Sequence, residues 1–160
     1  MANASYVLLQ EITLNASAAS VTFSSIPSGY TDLKVVVSGR SDYAAGRLYL
    51  QLALNGSSSN FSGIRLLGFD GTNTTSSTVT TQIAAIPGST VTANTFSNTE
   101  IYFPNYLSSN AKSISVDGVQ ENNSSTQDTL GMYAMLWNPS PQAAINQIGF
   151  RDRKSTRLNS

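Results

Sequence analysis

The stretch Leu48 to Leu54, LYLQLAL, puts leucine at every second position with Tyr49, Gln51 and Ala53 between. Side chains on a strand alternate faces, so this period is that of a strand with one face in a core. It stops at Asn55-Gly56, a dipeptide that tolerates the positive φ values a tight turn needs. No segment of helical length shows a 3.6-residue period. The chain is therefore held to strands and turns, and the remaining segments repeat that grammar.

Tyr6 to Leu14 reads as a first strand, with Tyr6, Leu8, Ile12 and Leu14 in phase. Val21 to Arg40, VTFSSIPSGYTDLKVVVSGR, reads as a half-buried hairpin. Val21 and Phe23 alternate with Thr22 and Ser24, the run breaks at Ile26-Pro27-Ser28-Gly29, and Leu33, Val35 and Val37 then share one face. Ser38 to Gly46 reads as a loop. Ile64 to Phe69 is a strand ended by Asp70-Gly71, followed by a polar loop from Thr72 to Ser77. Val79 to Ile86 is a strand stopped by Pro87-Gly88. Further strands fall at Glu100 to Phe103 and at Ile114 to Gln120. Leu130 to Trp137 is an apolar run expected to be buried on both faces. Ile145 to Phe150 starts another strand. About ten short strands with frequent turn signals are the spacing of an antiparallel β-sandwich, jelly-roll-like in type.

Length is one domain's worth, and no second domain or linker is visible. The last residues depart from the pattern. Asp152 to Ser160, DRKSTRLNS, matches the conceptual translation of a common short-read sequencing adapter, GAT CGG AAG AGC ACA CGT CTG AAC TCC. The expectation is a single sandwich domain over residues 1–150, a non-native read-through tail over 151–160, and a last native strand that is missing. Residues 1–150 carry five basic residues and eight acidic ones, a balance of −3.

Lys34, Arg40, Arg47, Arg65 and Lys112 are scattered, which argues against a nucleic-acid footprint. No apolar run is long enough to cross a bilayer as a helix, and the N-terminus lacks the regions of a signal peptide. Asn15, Asn55, Asn60 and Asn73 each begin an Asn-x-Ser/Thr triplet and read as loop chemistry in a chain this rich in those residues.

Histidine and cysteine are absent. That removes Ser-His-Asp and Cys-His nucleophile systems and zinc sites built on those ligands. A carboxylate pair is what remains for hydrolysis, from Glu11, Asp32, Asp42, Asp70, Glu100, Asp117, Glu121 and Asp128. Asp70 and Asp117 precede glycine and Asp32 follows a turn, positions aspartate takes for turn geometry. Asp70-Gly71-Thr72-Asn73, and Asp117 with Glu121-Asn122-Asn123, offer oxygen ligands for calcium but lack the ordered spacing of a known loop. Tyr43, Tyr49, Tyr102, Tyr106, Tyr133 and Trp137 could stack on sugars, although aromatics in apolar strands pack in cores by default. The expectation is a non-enzyme with no catalytic, cofactor or metal residues and an unassigned ligand surface.

Three stretches carry a resemblance: YVLLQEITLNASAASVTFSSIPSGYTDLKVVVSGRS, NGSSSNFSGIRLLG and ANTFSNTEIYFPNYLSSNAKSISVDGVQENN. Together they resemble a group of small structural proteins of marine tailed phages known from viral metagenomes. The likeness covers most of residues 5 to 150, and NGSSSNFSG and NTEIYFPNY are its most specific blocks. Members of the group continue past the position of Phe150 to a last strand. The resemblance implies a virion component assembled in the host cytoplasm, either a capsid decoration or a tail-associated protein. It implies a homo-oligomer, with a trimer favoured, and contacts with major capsid or tail proteins; it carries over no functional residue. The rival reading is a carbohydrate-binding sandwich module used in adsorption, with a glycan as partner. Neither nucleic acid nor a membrane is an expected partner.

Overall fold

In a computed structural model the chain is all β; the structure describes residues 6–70, 73–123, 128–152 and 158–159. The strands in chain order are β1 (Val21–Phe23), β2 (Leu33–Val37), β3 (Arg40–Ser41), β4 (Arg47–Leu54), β5 (Phe61–Phe69) and β6 (Asn73–Val79). They continue with β7 (Gln82–Pro87), β8 (Ser97–Phe103), β9 (Lys112–Gln120), β10 (Thr129–Trp137), β11 (Ile148–Asp152) and β12 (Leu158–Asn159). Two antiparallel sheets face each other, a four-stranded one in the order β1-β11-β4-β7 and a six-stranded one in the order β2-β8-β9-β10-β5-β6. A two-residue ladder joins β12 to β3, with Leu158 opposite Ser41.

The connectivity is that of a jelly roll with one elaboration. The four-stranded sheet places β1, β11, β4 and β7 side by side, as one jelly-roll sheet does its first, last and two middle strands. In the second sheet the place next to β2 that one strand normally fills is taken by a three-stranded meander, β8-β9-β10.

Burial follows the pleat. Leu48, Leu50, Leu52 and Leu54 point inward from β4, and β8, β9 and β10 alternate buried and exposed along their whole lengths. Ile83, Ile86, Ile101, Phe103 and Ile114 complete the centre of the core. The Asn55-Gly56 turn is as expected. Both residues have positive φ, 51° and 77°, and Leu54 and Ser57 exchange backbone hydrogen bonds of 2.9 and 3.0 Å across it.

Four expectations are corrected. Val21 to Arg40 is not a hairpin: β1 and β2 lie in different sheets, and residues 24–32 form the corner between them. Tyr106 anchors that corner, fully buried with its hydroxyl donating to the Pro27 carbonyl. Tyr6 to Leu14 is not a strand: among the described residues no sheet ladder takes it in, and it runs as an arm beside the β1–β2 corner with Leu14 packed against the core. The polar segment from residue 73 onward is a strand, β6, held by pairing along β5 from Gly63↔Val79 to Phe69↔Asn73. Its Ser and Thr side chains suit an exposed sheet edge. Finally, β10 is buried on one face alone; Leu130, Met132 and Leu136 lie on the outside.

Candidate functional site

Asp32, Asp70, Glu100 and Glu121 are engaged in local structure. Asp32 accepts hydrogen bonds from the Tyr102 hydroxyl (2.7 Å) and the Asn105 backbone N–H (2.8 Å). The Tyr102 hydroxyl, then the Asn105 N–H, hold its carboxyl below the usual aspartate value. Glu100 pairs with Lys34 at 2.6 Å. Asp70 accepts from the Asp128 N–H, and Glu121 accepts from the N–H groups of Asn122 and Asn123 at 2.8 Å. Burial, then Glu121 and Asp70 nearby, push the Asp128 carboxyl up. Glu100 and Asp117 oppose each other across the β8–β9 ladder, but on the open outer face of a sheet, without a cleft to seat a sugar.

Among the described residues the two oxygen-rich stretches do not come together. Asp117 points outward within β9, whereas Glu121 caps the turn beyond it. Among the described residues no three acids gather in ligating range. Gly71 and Thr72 lie outside the described residues.

Most of the aromatics expected as sugar platforms are structural. Tyr106, Tyr133 and Trp137 are buried in the core, and Phe61 lies against the Trp137 ring. Tyr49 is half-buried beneath the Arg65 guanidinium, 4.8 Å from ring centroid to Cζ, and Tyr43 is half-buried at the core's edge. Tyr102 alone of the six reaches the surface substantially.

Two surface features remain after this accounting, and both are apolar. The first is the outer face of the six-stranded sheet. Ile64 and Leu66 from β5, Leu130, Met132 and Leu136 from β10 and Val119 from β9 are 40 to 63% exposed. Met132 stands directly opposite Leu66, and Leu130 directly opposite Val119, so the side chains touch across the ladders. Together they expose on the order of 600 Å² of apolar surface, the top of the range a typical monomer shows. Thr74, Ser76 and Thr78 of β6 border it on one side, and Ser113, Ser115 and Asp117 of β9 on the other. An apolar centre inside a polar rim is the anatomy of a protein interface.

The second is a cleft of about 960 Å³ between the arm, the β1–β2 corner and the free edge of β2. Tyr6, Val7, Leu8 and Leu9 form its outer wall and are themselves 40 to 78% exposed. Tyr30, Tyr102 and Phe96 stand around it. The Tyr6 ring lies 5.8 Å from the Lys34 ammonium.

The sequence signals for both features were visible but pointed inward. LGMYAMLW and YVLL are apolar at both parities, and a pattern cannot distinguish a strand covered by its own fold from one covered by another chain. No known family, curated protein or solved structure matches the chain.

Proposed function

We propose that this protein is a non-enzymatic structural component of a tailed-phage virion, a capsid decoration or tail-associated protein that acts by docking. The observation that carries the reading is the apolar outer face around Met132 and Leu66. A contiguous apolar patch at the top of the range for a monomer, rimmed by polar residues, supports a role in protein association. An open sheet face suits the side of a shell or tail better than a small molecule, which needs a concave site. The resemblance to marine phage structural proteins and the Ser/Thr/Asn coat support the same reading.

The test is co-sedimentation with tailed-phage capsids and, separately, tails, using the wild type and the double variant Ile64→Ser/Met132→Ser. Wild-type protein is expected to pellet with one of the two and the variant to stay in the supernatant. Both side chains already face water, so the variant should fold with stability within about 0.5 kcal/mol of wild type. A wild type that remains a monomer and pellets with neither particle sinks the proposal.

The second reading, a glycan-binding module, rests on Tyr6, Tyr30 and Tyr102 around the cleft. Binding on a glycan array that Tyr102→Ala abolishes would favour it. The burial of Tyr106, Tyr133 and Trp137 weighs against it.

A further inference from the structure

We infer that the cleft beside β2 receives the N-terminal arm of a second copy of this chain, so that copies join by reciprocal arm exchange. This rests on the reading of the protein as a self-associating structural component and names the element that does the associating.

The arm is the first observation. Tyr6, Val7, Leu8 and Leu9 are apolar at both parities, and all four are exposed. A strand apolar on both faces is one that ends up covered on both faces. Among the described residues no sheet ladder takes in Tyr6 to Gln10, and their side chains stay exposed at the rim of the cleft. The arm's root is fixed, because Leu14 packs against the core. From that anchored base the segment runs along the cleft, with the Tyr6 ring 5.8 Å from the Lys34 ammonium.

The receptor is the second. β2 is an edge of the six-stranded sheet, and β1 an edge of the four-stranded one. Both edges border the cleft, through Phe23 of β1 and Leu33, Lys34, Val35 and Val36 of β2. A free edge presents backbone donors and acceptors that an extended segment can satisfy by strand addition.

Charge and area select a second copy as the occupant. Tyr6 to Gln10 carries no charge. Of the charged groups bordering the cleft, Lys34 pairs with Glu100, Asp32 accepts from the Tyr102 hydroxyl and the Asn105 N–H, and Glu11 is exposed at the base of the arm. A neutral, apolar strand fits such a cleft, and this chain supplies one. The four arm side chains expose roughly 500 Å². Two exchanged arms with the surfaces that receive them would then bury about 2,000 Å², and about 1,000 Å² at half coverage, which is what a stable interface needs. One contact type satisfies arm and cleft at once, and repeated around an axis it closes into an oligomer.

The test is light scattering across concentration on the full chain, on the chain lacking residues 1–10, and on the full-length variant Val7→Ser/Leu9→Ser. The wild type is expected to be a closed oligomer and both variants monomers with unchanged circular dichroism, association weakening at least tenfold. A chain with Leu8→Cys and a chain of different mass with Val36→Cys, refolded together and oxidised, should form a mixed disulfide; the native sequence has no cysteine to interfere. An oligomer that keeps its size in both arm variants overturns the inference and leaves the structural proposal standing. So does a wild-type monomer that still pellets with capsids or tails. A monomer that pellets with neither overturns both.

Discussion

Lys112 offers the sharpest test of how this fold is held. It is 1% exposed, at the start of β9 and opposite Trp137 on β10. Its ammonium donates to the carbonyls of Ser108 (2.7 Å), Asn110 (2.5 Å) and Ala143 (3.0 Å), which uses all three protons. These bonds tie the β8–β9 turn to the segment leading into β11. In Lys112→Met the stem volume stays and the three donors go. Charge-assisted bonds contribute about 1.5–3 kcal/mol each, while returning a buried ammonium to water recovers several kcal/mol. Ser108 and Asn110 lie near the surface and can rehydrate, so the net cost should be about 2–4 kcal/mol. For a domain of this size that lowers Tm by roughly 5 to 15 °C. Urea denaturation should show the loss as a shift in midpoint at constant m. The pH dependence supplies a second check. Burial holds the Lys112 amine below its ordinary value of 10.5. Between the folded value and 10.5 the unfolded chain binds more protons, so stability gains with rising pH in that window, and the Met variant lacks the gain. A cost under about 1 kcal/mol would refute the reasoning, because the bonds would then merely offset the burial of the charge.

Three further substitutions test the polar framework. Asn55 donates from Nδ2 to the Ala144 carbonyl, accepts at Oδ1 from Asn146 and Gln147, and sits at φ 51°. Asn55→Ala should cost about 2–3 kcal/mol in chemical denaturation, and Asn55→Gly somewhat less because glycine keeps the backbone geometry. The buried Tyr133 hydroxyl finds no hydrogen-bond partner among the described residues, and burial drives the phenol's pKa far upward. Tyr133→Phe should therefore leave stability unchanged or raise it by up to about 1 kcal/mol, measured by thermal melting. The Asp32 carboxyl is held below its ordinary 3.8, so its stabilisation is present above that pH and lost as pH falls through the folded value. Acid titration of Asp32→Asn, followed by near-UV circular dichroism, should lack that component of the loss.

The inward face of this protein was legible because its period is simple. The four leucines of β4, the alternation of β8 and β9 and the Asn55-Gly56 turn each state their geometry locally. Sheet assignment was not local. Val21 to Arg40 has the grammar of a hairpin, yet the nine residues 24–32 turn the chain from one sheet to the other, and what fixes the corner is Tyr106, some eighty residues away. The Ser/Thr run of β6 carries no apolar period, and its strand exists because β5 offers seven consecutive partners. The candidate surfaces were legible as apolar composition but not as exposure. LGMYAMLW is apolar on both faces, and only the sheet order and the exposure of Leu130, Met132 and Leu136 reveal that one face lies outside the sandwich.

The two apolar surfaces are separate, and that separation has a consequence for assembly. Between the Met132 patch and the arm-lined cleft lies a polar strip on β8 and β9: Asn98, Glu100, Ser113, Ser115 and Asp117, all facing outward. A single flat partner covering both surfaces would have to desolvate that strip, including the Lys34–Glu100 pair, without compensating partners. Two contacts of different kind avoid that cost, one between copies through the arm and one to the particle through the sheet face. The variants should accordingly separate. Ile64→Ser/Met132→Ser should keep its oligomeric mass in light scattering and fail to pellet with particles. Val7→Ser/Leu9→Ser should become monomeric and still bind them, at reduced avidity, because one docking face per molecule replaces several. If either variant loses both properties while remaining folded, the strip does not divide the surface and the two contacts are one.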